Sequence, residues 1–507
     1  LERRRDMKIG VLEIIVATAP KHLSVNNIFY YLVAKQYAGI MPQAVSAWCR
    51  RMGHDVHYAT YWGQADPMQL LPDDLDLIFV STYTHASPMA YAVARLFKRA
   101  GARTVVGGPH AKVFPQDCLR FFDLAVQQCD EDLVRDIVDG VFEPGTVVSS
   151  EQPLTELPGV EERMPEISTA VFTKGRPYIS TVVPMLASAG CPYTCDFCVD
   201  WNNPYILLPE EQLEADLLYL STNYPGVKMA FQDPNFAVKF DSVLDIMEGL
   251  PSVGRNPYLM ETSLSILKGP RLQRLKDTGC CYIAPGIESW TDNYSGKSAV
   301  GSANGQKKVD QVVEHFGLLH EYCQGFQANF LFGLDTDQGD EPVELTKQFL
   351  TRTPWVWPVF NIPTPYGGTP LHSMLLKEGR IMEEMPFALY YSPYLAVALK
   401  NYGPVEYYEK LVELHTHASS WGLLRERLRS VPDFGIRVTI TLRHFGYYHK
   451  LTNFKRILKE LRGNKEFRAF HRGSNKQLPD FYLREYQQAL GRYADLFTEE
   501  ERKPVIV

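Results

Sequence analysis

Three cysteines fall within eight residues in Ser188-Ala-Gly-Cys191-Pro-Tyr-Thr-Cys195-Asp-Phe-Cys198. A loop this short can wrap one polynuclear iron–sulfur cluster, with a thiolate on each of three irons. No fourth ligand lies nearby, so one iron of such a cluster stays open to a substrate or cofactor, which a purely structural cluster does not need. Other chemistries draw on the same side chains. Structural zinc wants four ligands, and the nearest further cysteine in sequence, Cys129, falls in a separate expected domain. A disulfide leaves an odd thiol, and a degenerate loop that binds nothing is the remaining alternative. The cluster reading employs all three thiolates.

Such a loop needs a scaffold, and the sequence around it supplies one. From Tyr178, β-rich runs at 179–187, 228–232, 258–264, 282–287, 327–333 and 359–362 alternate with helical patterns at 209–219, 271–278, 309–322 and 341–350. Six consecutive β–α units predict a partial (β/α)6 TIM barrel over 178–382, with its active face at the strand C-termini. The cysteine loop directly follows the first of these strands.

A second series precedes it. Strand patterns at 8–16, 54–61, 75–82, 104–107 and 123–127 alternate with helices at 43–52, 88–100 and 131–138. Short apolar strands alternating with helices predict a Rossmann-like, doubly wound parallel sheet over 7–140, which binds ligands at the carboxyl ends of its strands. Residues 141–177, rich in Pro, Glu and Thr, read as a linker. Residues 383–507 read as a mainly helical, aromatic-rich region, with helices at 405–415, 423–428 and 481–490. Its aromatics, Tyr390, Tyr391, Tyr394, Tyr407, Tyr408, Phe445, Tyr447 and Tyr448 among them, either close over the barrel mouth or form plain core.

Composition excludes several classes. The 507-residue chain carries a net charge of −7, which offers no global pull toward nucleic acid or an anionic membrane, although a local basic patch stays open. No apolar run approaches the roughly 20 residues of a membrane span. Nine cysteines, an odd number and mostly scattered, make a poor disulfide framework and point to the cytoplasm. Cys49, Cys118, Cys280, Cys281 and Cys323 read as buried packing residues. Met7 is expected to be the natural start, and no signal-peptide pattern follows it.

The Cys-x3-Cys-x2-Cys spacing, with Phe197 before the last cysteine at the head of a βα barrel, resembles the radical S-adenosylmethionine (SAM) superfamily. The resemblance implies a [4Fe-4S] cluster on Cys191, Cys195 and Cys198, whose open iron chelates SAM and whose electron splits it to a 5′-deoxyadenosyl radical. It also implies an electron donor such as flavodoxin or ferredoxin. Motifs at the strand ends are similar to the family's SAM contacts: Phe231-Gln232-Asp233-Pro-Asn235-Phe236, Gly286-Ile-Glu288-Ser289, Phe332-Gly333-Leu-Asp335-Thr-Asp337 and Pro363-Thr-Pro365-Tyr366-Gly-Gly368. The SAM-binding candidates are Phe197, Gln232, Asp233, Glu288, Ser289, Gly333 and Asp335.

A parallel α/β domain ahead of the barrel is similar to the cobalamin-binding subgroup. Ser81 resembles the serine of its Ser-x-Leu element, with Tyr83 in place of leucine, and Gly107-Gly108 resembles its Gly-Gly element. The cobalamin-binding candidates are Ser81, Thr82, Tyr83, His85, Gly107, Gly108 and His110. No Asp-x-His-x-x-Gly follows the first strand. Asp55-Val-His57 is the nearest match and His57 reads as a strand residue, so the resemblance implies a cobalt without a lower histidine ligand.

The function implied is methylation of an unactivated carbon of a small molecule or peptide. Alternatives are a radical cyclase, rearrangement or oxidation enzyme in which cobalamin donates no methyl, a methylthiotransferase, and a non-catalytic cobalamin-binding protein. The methylthiotransferase expects an N-terminal cluster and a basic C-terminal module that the sequence does not offer. A nucleic-acid partner is not indicated.

Overall fold

The computed structural model describes residues 6–20, 38–151, 154–252, 255–291, 305–432 and 434–506. Its first sheet consists of β1 (Lys8–Ile14), β2 (Asp55–Tyr61), β3 (Leu77–Thr82), β4 (Arg103–Gly107), β5 (Leu124–Val126) and β6 (Thr146–Val148). The spatial order is β2-β1-β3-β4-β5-β6 with every pair parallel. Alternate side chains of each strand feed two separate cores. Ile9 and Val11 pack with Trp48 and Leu133 on one face, while Leu12 and Ile14 pack with Met89, Val93 and Phe97 on the other. Helices therefore cover both faces, which a buried parallel sheet requires. Sheet growth reverses between the two neighbours of β1, and a crevice opens at such a switch point. His57 lies within β2, as read, with its Nε2 3.3 Å from Asp55.

Two elements fall inside the stretch 141–177 that reads as a linker. One is β6, and the other is helix Met164–Val171. A three-residue edge strand has too few positions to show a period. Pro165 looks like a breaker but occupies the first helical turn, where its missing N–H costs nothing. Ser46 donates to Glu166 of this helix (2.7 Å) and Arg163 donates to Gln43 (2.7 Å), which ties it back to the first sheet's helix Ile40–Arg51.

The second sheet contains β7 (Val182–Met185), then, beyond a small ribbon of β8 (Ser188–Ala189) and β9 (Ile206–Leu207), β10 (Lys228–Phe231), β11 (Tyr258–Thr262), β12 (Cys280–Glu288), β13 (Gly325–Leu331) and β14 (Val356–Asn361). The six long strands run parallel in sequence order, and β7 and β14 form open edges. This is the expected partial barrel. One core cluster joins its outer face to the C-terminal helices, through Phe360, Tyr407, Tyr408, Phe454 and Tyr482 among others.

The C-terminal region is helical: Pro404–Ala418, Trp421–Ser430, Phe434–Gly463, Lys465–His471 and Asp480–Leu490. The 30-residue helix Phe434–Gly463 escapes the sequence reading because apolar residues lie on both of its faces and blur the period. Tyr390, Tyr394, Tyr407, Tyr408 and Tyr447 are buried core, whereas Tyr391, Phe445 and Tyr448 stand exposed. Beyond that helix the chain returns to the first sheet. Tyr486, Leu490, Tyr493 and Phe497 pack into one of its cores, and the Val505 N–H donates to Asp117 (2.8 Å). Cys49, Cys118, Cys280 and Cys323 are buried, and Cys281 is half-buried. Among the described residues no helix is long and apolar enough to cross a membrane.

Candidate active site

The cysteine loop is pinched at its base by the β8–β9 ribbon, in which Ser188 faces Leu207 and Ala189 faces Ile206. Gly190 follows at φ +70°, and a Cβ there would lie 2.1 Å from the Pro204 carbonyl oxygen. Only glycine passes this point. The Cys191 N–H donates to the Asn203 carbonyl (3.1 Å), and the Cys198 N–H to the Cys195 carbonyl (3.1 Å), so the loop closes on itself. Cys191 and Cys195 are buried and Cys198 is half-buried. No three His, Cys, Asp or Glu side chains among the described residues are grouped to hold one metal ion. A triplet that serves three separate irons has no need to converge on a single point, and a soft three-thiolate loop suits such a cluster.

Asp233 sits just past β10 and is 1% exposed. Its carboxylate accepts from the Ala187 N–H (3.1 Å) and the Ser188 hydroxyl (2.5 Å), and burial lifts its pKa to about 6 against those donors. It braces the start of the cysteine loop, with its oxygens turned to protein donors. Asp233→Ala would leave both donors unmatched, at a cost of about 1–3 kcal/mol. The expected result is a lower thermal midpoint and reduced iron retention on desalting, and an unchanged midpoint would remove the bracing role.

The other strand ends differ in what they offer. Asp337 accepts from Ser289 Oγ (2.8 Å) and from the N–H groups of Gly333 (2.9 Å) and Leu334 (3.2 Å), and so binds the ends of β12 and β13 together. Gly333, at φ +103°, lets the Tyr407 ring approach where a Cβ would lie 2.7 Å from it. Glu288 adopts φ +62°, uncommon for a residue with a side chain. Its carboxylate folds over Gly286, where a Cβ would meet it at 2.3 Å. Asp335 does not turn to the site, because both its oxygens take hydrogen bonds from Arg380 at 2.7 Å. Phe197 packs half-buried against the main core. Asn235 lies in the Phe231–Phe236 segment that follows β10. It is 1% exposed, its Oδ1 accepts from the Ser263 N–H (2.9 Å), and its Nδ2 is buried without a partner among the described residues.

A cavity of about 540 Å³ joins the carboxyl edge of the first sheet to the flank of the cysteine loop. Ser81, Tyr83, Gly107 and Gly108 line one wall, and Gly190, Asn203 and Gln232 line the other. Lys112 bridges to Asp200 across it (2.9 Å), and Gln232 donates to the Ala38 carbonyl (3.0 Å). Gly107 has nothing nearer than 4.0 Å to a Cβ built on it, so any side chain there would enter the cavity. The glycine edge thus leaves room for a bound group to approach backbone.

Three sequence candidates do not line this cavity. Thr82 is buried, its hydroxyl directed to the carbonyls of Ile14 (3.4 Å) and Tyr83 (3.2 Å). His85 places Nε2 3.2 Å from the Ile15 carbonyl, with burial holding its pKa below the ordinary value. His110 is turned into the core by helix Gly108–Val113, with Nε2 2.5 Å from the Tyr91 hydroxyl. Burial pushes its pKa down to about 3, so it stays neutral. The C-terminal aromatics are also absent from the lining.

Glu13, in contrast, belongs to no sequence motif and is brought to the cavity by the fold alone. It lies in β1 on the cavity wall, is 2% exposed, and accepts from the Gly39 N–H (2.7 Å). Burial raises its pKa from 4.5 to about 7. The folded chain therefore favours the neutral acid, and the associated stability is complete below about pH 4.5 and is lost as pH rises toward 7. Glu13→Gln keeps the acceptor for Gly39 and removes the ionisation. It is expected to raise stability by about 2 kcal/mol at pH 8 and by little at pH 5. Thermal unfolding at both values checks this, and equal shifts would contradict it.

No family model matches the chain. It is 22% identical over 71% of its length to the bacteriochlorophyllide d C-12(1)-methyltransferase of Chlorobaculum tepidum, covering 79% of that protein. Its fold resembles the cobalamin-dependent SAM radical enzyme OxsB with aqua-cobalamin bound, at a TM-score of 0.57 and 12% identity over 97% of this chain and 80% of that one. It also resembles the radical SAM methyltransferase TsrM of Kitasatospora setae with cobalamin and a [4Fe-4S] cluster bound, at 0.50 and 14% identity over 74% and 75%. An α/β sheet placed ahead of an open six-stranded barrel is the fold for which these two solved structures are matched. The chain is thus similar in sequence to a bacteriochlorophyllide methyltransferase, and in fold to solved radical SAM enzymes that bind cobalamin.

Proposed function

We propose that the chain is a cobalamin-dependent radical SAM methyltransferase acting on an unactivated carbon of a small molecule or peptide. The cavity that has the glycine edge of the first sheet on one side and the cysteine loop on the other supports this reading best. Bound together there, the cluster and SAM supply a 5′-deoxyadenosyl radical and cobalamin supplies the methyl group. A carbon without an acidic proton cannot be activated by ordinary acid–base groups, which is why the site needs no paired carboxylate and histidine.

The chain's own residues bind, orient and exclude water. Cys191, Cys195 and Cys198 provide the thiolates. The unmatched Asn235 Nδ2 is a donor for SAM, and Glu288, Ser289 and Gly333 shape the strand ends beside it. Ser81, Tyr83, Gly107 and Gly108 border the cobalamin tail. Electrons come from a flavodoxin- or ferredoxin-like donor. The names of the Chlorobaculum and Kitasatospora proteins favour methyl transfer over rearrangement.

Anaerobically reconstituted protein with cobalamin, a reductant and methyl-labelled SAM tests the reading. Label on cobalamin, with S-adenosylhomocysteine and 5′-deoxyadenosine both formed, is the expected outcome. Deoxyadenosine without label transfer would overturn methylation in favour of a cyclisation or oxidation. Neither product would leave a binding protein.

A further inference from the structure

We propose that the outer face of the long C-terminal helix is a docking surface for an anionic lipid bilayer. In helix Phe434–Gly463, Ile440, His444, Tyr447 and Leu451 are buried against the body of the protein. On the opposite side Phe434, Val438, Leu442 and Phe445 recur at helical spacing and stand in solvent, Phe434 79% and Phe445 58% exposed. Trp421, 63% exposed, stands at the start of helix Trp421–Ser430 with its ring 5.1 Å from that of the buried His444. Single apolar residues are ordinary on a protein surface, but a continuous row of this kind marks a binding face.

Charge identifies the occupant. From Trp421 to Arg462 the sequence holds ten Lys or Arg and three Asp or Glu, in a chain whose net charge is −7. Arg427 is buried, Arg443 is directed to Tyr282, and Arg456 and Arg462 form ion pairs, while Arg425, Arg429, Arg437, Lys455 and Lys459 stand exposed. A groove of about 520 Å³ between the two helices has Trp421, Leu424 and Leu428 along its floor and Arg425, Arg429 and Arg437 at its rim. Arg429 also pairs with Glu426 (2.9 Å), and Arg437 Nε donates to the Val431 carbonyl (2.6 Å). Aromatic and aliphatic side chains beside a basic rim suit the boundary between acyl chains and headgroups, with the helix lying on the bilayer and not across it. A second copy of this chain fits less well, because a two-fold contact through this face would bring like-charged rims together.

Sedimentation of the full chain with vesicles tests this without any cofactor, so its outcome is separate from that of the radical chemistry. Binding is expected to vesicles of phosphatidylcholine with phosphatidylglycerol, and not to phosphatidylcholine alone. Raising salt is expected to weaken it at least about tenfold. Two variants, Trp421→Ser/Phe434→Ser/Phe445→Ser and Arg425→Glu/Arg429→Glu/Arg437→Glu, should each weaken it by a similar factor while the circular dichroism stays unchanged. Equal binding to both vesicle types, no binding to either, or variants that bind like the parent would overturn the proposal. So would a dimer in solution that the apolar variant dissolves and that ignores anionic vesicles.

Discussion

Cys195→Ala is expected to give a folded protein that holds no complete cluster and forms no 5′-deoxyadenosine above background. Cys195 is 1% exposed, and removing one small buried side chain costs the fold only about 1 kcal/mol. The chemical loss is total because no fourth cysteine stands near enough in sequence to replace it. Iron and sulfide counts after anaerobic reconstitution, with product analysis on SAM, provide the measurement. Cys49→Ala serves as the comparison. Cys49 lies in a core of the first sheet, where burial drives its thiol up to about 12 and keeps it from becoming a thiolate, so this variant should retain its iron. A Cys195→Ala protein with a full iron complement would remove the loop from the chemistry.

Gly107→Leu is expected to lower cobalamin affinity by about tenfold to a hundredfold while leaving the cluster in place. The position has φ −134°, which any residue adopts, and a Cβ there has open space around it. A leucine would therefore fill the cavity without straining the backbone, and crowding a bound group by a few methyl groups costs about 1–3 kcal/mol. Gly108 is a poorer probe. It needs φ +85°, and a Cβ would lie 2.6 Å from Ser81 Oγ and 3.0 Å from the Thr82 nitrogen, so the fold itself would suffer. Equilibrium dialysis of cobalamin against parent and variant, alongside iron counts, reads the two effects separately. Undiminished cobalamin binding in Gly107→Leu would move the cofactor away from this edge.

The two parallel sheets were legible because their strands are short apolar runs set apart by helices, and that pattern is a local property. The cysteine loop was legible for the same reason: its three thiols lie within eight residues of one another along the chain. The ends of elements shifted by a few residues, as with the helix read at 43–52 and found at Ile40–Arg51. The strand β6 and the helix over Met164–Val171 were too short or too proline-marked to announce themselves.

Side-chain direction was decided elsewhere. Asp335 and His110 sit in motifs that look like ligand contacts, yet Arg380 claims the first and the Tyr91 hydroxyl turns the second inward. Asp337 gains its link to β12 from the remote Ser289, and Glu13 its hydrogen bond from the remote Gly39. A sequence determines which residues can adopt a strand, a tight turn or a thiolate triplet, because those depend on neighbours along the chain. Which carboxylate faces a ligand and which is spent on the protein depends on donors that arrive from remote segments, and only the packed structure brings them within hydrogen-bonding distance.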